Sequence, residues 1–114
     1  MPSDAPMPMP NADILEQLYR KIEARKSAPV SESYSAALLA GAPEKPVRKL
    51  AEETTEVVIE ALKSDKEALT RESADLLYHL LVVWVAAGLT PDEVWQELAA
   101  RQHQSGLAEK AGRE

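Results

Sequence analysis

The sequence contains no cysteine and no phenylalanine, and only 4 glycines in 114 residues. Without cysteine there is no disulfide framework, no thiolate nucleophile and no Cys-based zinc site. With so little glycine, no GxGxxG or GxxxxGK[ST] loop is present to cradle a nucleotide's phosphates. Positive charge is also short: 13 Lys+Arg stand against 19 Asp+Glu, a formal net charge of -6. Phosphate backbones are gripped by basic surface, so nucleic acid is not expected as a partner. Long apolar runs are missing as well. The longest, Leu76 to Leu89, covers 14 residues and contains His79, short of the roughly 18 needed to span a membrane. The expectation is a cytoplasmic protein with no membrane partner. What remains is ordinary globular usage, 45% hydrophobic and 28% charged, enough for one domain with a modest core.

Four of the eight prolines fall in the first ten residues, MPSDAPMPMP. This stretch has neither the basic start nor the apolar segment of a signal peptide. Residues 1–11 are expected to be a disordered lead-in, and residues 12–114 the folded domain.

The domain reads as helices joined by short loops. Asn11 is a candidate cap for a first helix over Ala12 to Arg25, with Ile14, Leu15, Leu18 and Ile22 on one face. Lys26 to Ser33 reads as a loop, followed by a short helix over Tyr34 to Leu39 that ends at Gly41-Ala42-Pro43. A third helix is expected from Pro46, tolerated in a first turn, to Lys63. Ser64-Asp65-Lys66-Glu67 resembles a capping box opening a fourth helix that stops at Gly88. Thr90-Pro91-Asp92-Glu93 is a second box, opening a fifth helix to Gln104. No segment sustains the apolar/polar alternation of a strand. The predicted fold is all-α, a bundle of four to five helices completed by dimerisation. The reason for the dimer is that Leu76 to Ala87 is apolar around its whole circumference, more than a small monomer can cover.

The carboxylates are patterned. On the third helix Val47, Leu50, Ala51, Thr54, Val58, Ala61 and Leu62 share one arc, the expected core face, while Glu52, Glu53, Glu56 and Glu60 lie outside it. On the fourth, Glu72, Asp75 and His79 form one stripe running into the apolar segment. Folding the two helices about the Ser64-Asp65 turn levels Glu53 with Asp75 and Glu56 with Glu72, each to within about 1.5 Å of rise. Carboxylates meeting without a basic partner must hold either protons or a cation. Oxygen-only donors on rigid helices suit Mg²⁺ or Mn²⁺. Lys45 and Lys49, four residues apart at the start of the third helix, are candidates to hold phosphate oxygens, with Arg48 and Arg71 nearby. His79 reads as a buried imidazole or a support for Asp75. Trp84 and Trp95 read as core or interface residues.

Glu52-Glu53-x-x-Glu56 followed by Glu72-x-x-Asp75 resembles the EExxE…ExxD signature of the all-α, MazG-like nucleotide pyrophosphohydrolases. The segments SYSAALL, EKPVRKLAEETTEVVIEAL, ESADLLYHLLV, AAGLTPDEVWQEL and SGLAEKAGR, spread over residues 33–113, are similar to the phosphoribosyl-ATP pyrophosphatases of histidine biosynthesis. There are departures: Ser35 replaces the usual threonine, Ala51 a common glycine and Pro46 an aliphatic residue. The resemblance implies Mg²⁺-dependent hydrolysis of phosphoribosyl-ATP to phosphoribosyl-AMP and pyrophosphate. It implies Glu52, Glu53, Glu56, Glu72 and Asp75 as metal ligands, Glu53 or Glu56 as general base, and Lys45, Lys49 and Ser35 as substrate-binding residues. Tyr34, beside that serine, is the candidate for contact with the base or ribose. Two rival readings remain at this point: a dNTP pyrophosphatase sharing the metal motif, and a non-catalytic helical dimerisation module.

Overall fold

A computed structural model of the chain describes residues 10–102. Five α-helices account for most of them: α1 (Asp13–Ala24), α2 (Tyr34–Ala40), α3 (Glu44–Lys63), α4 (Lys66–Ala87) and α5 (Pro91–Arg101). Two short 3₁₀ turns, Arg25–Ser27 and Val30–Glu32, fill the stretch expected as loop. No strand occurs among the described residues, so the all-α expectation holds. None of the described helices is by itself long and apolar enough to cross a membrane.

The ends of the helices follow local chemistry, with three differences from expectation. Asn11 does cap α1, its Oδ1 accepting the Asp13 N–H at 2.8 Å, and Ser33 Oγ caps α2 through Ala36 N–H at 3.1 Å. Helix α3 starts two residues earlier than expected, at Glu44, which puts Pro46 in its first turn, where a missing N–H costs no intrahelical bond. Ser64 is not the cap of α4. It closes α3 in the left-handed conformation (φ 59°, ψ 32°), and Asp65 caps α4 by accepting Ala68 N–H at 3.0 Å. Gly88 ends α4 with φ 72°, and the Thr90/Glu93 capping box forms as expected. Helix α5 runs to Arg101; Gln104 lies outside the described residues, as do residues 1–9 of the proposed lead-in.

The core sits at one end of the molecule. Tyr19 and Ile22 of α1, Leu38 of α2, and Leu81, Val82 and Val85 of α4 are buried together. Leu15 and Leu18 pack against them, whereas Ile14, expected on the same face, is half exposed. The Tyr19 hydroxyl donates to Leu89 O at 2.9 Å, and Trp95 Nε1 donates to Glu16 Oε1 at 3.2 Å, tying α5 to α1. Trp84 and Trp95 meet edge to face at 6.0 Å.

Helices α3 and α4 form the antiparallel hairpin that the Ser64-Asp65 turn implied, but the face of α3 turned to α4 is not the expected one. Pro46 is buried and Lys49, Glu53, Val57 and Glu60 are half-buried, the spacing of one helical stripe. The apolar arc is turned outward instead, with Val47 48%, Val58 52% and Leu62 82% exposed. Helix α4 is likewise covered on one side only: Leu81, Val82 and Val85 are buried while Leu77 is 43% exposed. The reason is that α1 and α2 pack on α4 near its C-terminal half, so nothing in the described chain reaches the outer face of the hairpin.

Candidate active site

The hairpin brings together three of the four carboxylates that helical rise levelled, leaving out Glu56. Glu53 of α3 and Glu72 and Asp75 of α4 bring one carboxylate oxygen each to within 4.8 Å of one another. Among the described residues none of the three has an ion-pair partner. Burial, a hydrogen bond with Glu53 and the charges of Glu53, Asp75 and Glu60 raise the pKa of Glu72 above its ordinary value. The group is therefore short of positive charge. Three hard oxygen donors from two rigid helices fit a small divalent cation.

The other expected ligands are elsewhere. Glu52 and Glu56 are exposed and stand outside this three-membered cluster. Glu52 is 3.3 Å from Lys49 Nζ, so that lysine pairs with Glu52 and not with Glu53. Lys45 lies half-buried at the start of α3, close against Gly41. A Cβ on Gly41 would come within 2.8 Å of Lys45 Cβ, so the glycine is what allows the α2–α3 connection to pass this close to the lysine. Arg48 and Arg71 are exposed.

Next to the carboxylates is a set of rings that sequence reasoning only half found. Tyr34 opens α2 and stacks on Tyr78 of α4 at 6.2 Å and 20°. His79 meets both edge-on, at 6.1 Å from Tyr34 and 5.0 Å from Tyr78. The hydroxyls of Ser35 and Tyr78 hydrogen-bond at 2.5 Å. His79 is 5% exposed, and its Nδ1 is buried without a partner among the described residues. Burial lowers its pKa, with Lys49 adding to the effect and Asp75 and Glu52 opposing it, so the ring favours its neutral form. Tyr78 was not singled out from the sequence. Its spacing of three residues from Asp75 was visible, but not that α2 docks there.

The whole-chain comparison decides the family. Residues 15–102 match the phosphoribosyl-ATP pyrophosphohydrolase family. The chain belongs to that family. It is 48% identical over 103 residues to a protein named phosphoribosyl-ATP pyrophosphatase from Azospirillum brasilense, covering 90% of this chain and 93% of that one. A protein of the same name from Ruegeria pomeroyi is 51% identical over 100 residues, 88% of this chain and 95% of its own length. Another from Granulibacter bethesdensis is 50% identical over 88% of this chain, which spans 62% of that longer protein. The matched region contains the whole α3–α4 hairpin, and with it every carboxylate of the cluster. Family membership removes the non-catalytic dimerisation module from consideration and makes the chain a pyrophosphohydrolase, a hydrolase of histidine biosynthesis.

Proposed function

We propose that this chain hydrolyses phosphoribosyl-ATP to phosphoribosyl-AMP and pyrophosphate at the carboxylate cluster of the hairpin. The observation that carries the location is the convergence of Glu53, Glu72 and Asp75 without a basic partner. The donor set fits Mg²⁺, with Mn²⁺ as the alternative, and Glu52 and Glu56 extend it along the surface of α3. Bound there, the ion would offset phosphate charge and acidify a coordinated water. Lys45 and Lys49 hold phosphate oxygens and stabilise charge on the leaving pyrophosphate. Glu56 or Glu53 takes the proton of the attacking water. Tyr34 contacts the nucleoside end of the substrate, and Ser35 belongs to the same binding region through its hydroxyl bond to Tyr78. The test is pyrophosphate release from phosphoribosyl-ATP and from dNTPs, each with and without Mg²⁺. Turnover of dNTPs alone would reassign the substrate, and Mg²⁺-independent turnover would remove the metal.

The working unit in this proposal is a cytoplasmic homodimer of the domain at residues 12–114, with residues 1–11 dispensable. Support for the dimer comes from the outward arc of α3. Val47, Val58 and Leu62 of that arc, with Ile59 off the arc and Leu77 of α4, are exposed apolar side chains that a second copy would cover.

A further inference from the structure

We propose that Tyr78 is a positioning residue for the substrate's base: it backs the exposed ring of Tyr34, whose outer face stacks on the adenine of phosphoribosyl-ATP. The inference rests on the reading that the triphosphate lies at the Glu53/Glu72/Asp75 cluster. Tyr34 is 55% exposed although it is aromatic and belongs to a helix that buries Leu38 completely. Its ring is nevertheless not loose. Tyr78 lies nearly parallel beneath it, and His79 abuts the edges of both rings. Tyr78 is in turn held by packing against the core and by its hydroxyl bond to Ser35. Of the three, Tyr34 is exposed, Tyr78 half-buried and His79 buried. A ring held in this way loses little freedom on binding, so more of the stacking energy appears as affinity.

Tyr78 and His79 follow Asp75 by about one helical turn, roughly 5 Å of rise, and Tyr34 stands a further 6.1 Å from His79. Platform and carboxylates are thus neighbours along α4, about one helical turn apart on the same stripe. In this arrangement the Ser35 hydroxyl serves Tyr78 and not the substrate directly. Its contribution to binding is to fix the ring that supports Tyr34.

The experiment uses steady-state kinetics of the full chain with phosphoribosyl-ATP and Mg²⁺, with AMP and inorganic pyrophosphate as inhibitors. Tyr34→Leu should raise KM and the Ki of AMP about ten-fold, the effect of losing one base–aromatic stack. It should leave kcat and the Ki of pyrophosphate within about two-fold, because pyrophosphate has no ring to stack. Tyr34→Phe, which keeps the ring, should raise KM and the AMP Ki less than Tyr34→Leu does. Tyr78→Leu should raise KM in the same way, and the Tyr34→Leu/Tyr78→Leu double variant should be no worse than Tyr34→Leu alone, since the two act through one contact. Tyr78→Phe, which keeps the stack and loses only the bond to Ser35, should show a smaller rise and serves if Tyr78→Leu does not fold. The proposal is overturned if Tyr34→Leu leaves KM and the AMP Ki unmoved, if the pyrophosphate Ki moves with them, or if the two tyrosine effects multiply. A wild-type chain that releases no pyrophosphate from phosphoribosyl-ATP would overturn the underlying function. An active wild type with an indifferent Tyr34→Leu rejects the platform alone.

Discussion

Glu53 of α3 and Glu72 of α4 meet across the hairpin, with Asp75 as the third carboxylate, one oxygen of each within 4.8 Å of the others. Carboxylates this close are stabilised by a proton among them or a cation beside them. Because the pKa of Glu72 is raised in the folded state, ionising it costs more folded than unfolded. The linkage sign follows: without metal, stability falls as pH rises from the ordinary glutamate range through the raised folded value. Glu72→Gln should therefore flatten this fall and hold or raise the metal-free Tm at neutral pH. A thermal unfolding series in EDTA from acid to neutral pH checks it; a lower neutral Tm in the variant would contradict the repulsion.

Metal should reverse the ranking. At a concentration 100 times Kd, Mg²⁺ adds about 2.7 kcal/mol by mass action, which for a domain of this size is a Tm rise on the order of 10–20 °C. Asp75→Asn removes a cluster ligand and should lose both the Mg²⁺-induced rise and most turnover. Glu56→Gln removes a carboxylate outside the cluster and should lose turnover while keeping most of the Mg²⁺-induced rise. An Asp75→Asn variant with near wild-type activity, or a wild type on which Mg²⁺ acts no more strongly than NaCl of equal ionic strength, would refute the assignment.

His79 has the opposite pH signature to Glu72. Its folded pKa is lowered, chiefly by burial, so an unfolded chain takes up the proton first. The stability its neutral form contributes is present above the unfolded value near 6.5 and is lost as pH falls through the folded one. His79→Leu should be less sensitive than wild type to acidification below that point. Its buried Nδ1 makes no hydrogen bond among the described residues, so replacement by an apolar side chain leaves no partner stranded. Parallel Tm–pH curves for the two proteins would disprove this.

Among the described residues, two sit in left-handed backbone conformations, one suited to it and one not. Ser64 has φ 59° at the end of α3, and Gly88 has φ 72° at the end of α4. Ser64→Gly should stabilise by roughly 0.5–1 kcal/mol, and Gly88→Ala should destabilise by about 1 kcal/mol. A Cβ on Gly88 meets nothing within 4 Å, so that cost is conformational and not steric. Urea unfolding of both variants measures the pair, and a destabilised Ser64→Gly would mean the serine side chain matters more than its backbone.

The outer face of the hairpin gives a prediction about assembly. Leu62 is 82% exposed and Val58 52% exposed on the arc that sequence periodicity marks as a core face. Leu62→Glu or Val58→Glu should shift the mass in light scattering toward one 12.5 kDa chain, with little loss of helix by circular dichroism. A wild type already monomeric at micromolar concentration would reject the dimer.

Much of this protein is legible in its sequence because the physics involved is local. Thr90 and Glu93 cap α5, Gly88 ends α4 and Asn11 caps α1 through bonds spanning a few residues, so neighbours along the chain suffice to specify them. The levelling of Glu53 with Asp75 follows from helical rise and a short turn, again without tertiary information. Periodicity marked the apolar arc of α3 as a core face, a surface in need of cover, but the described chain leaves it exposed. It could not say which cover. Hydrophobicity has no direction, and an apolar stripe is satisfied equally by its own chain or by another. The tertiary structure decided that α1 and α2 pack on the far half of α4, that Glu53 and Glu60 therefore face α4, and that Val58 and Leu62 face outward. It alone brought Tyr34 and Ser35 to Tyr78, the last two 43 positions apart, because docking of α2 depends on the summed burial of Leu38, Ile22 and Leu81 and not on any local bond.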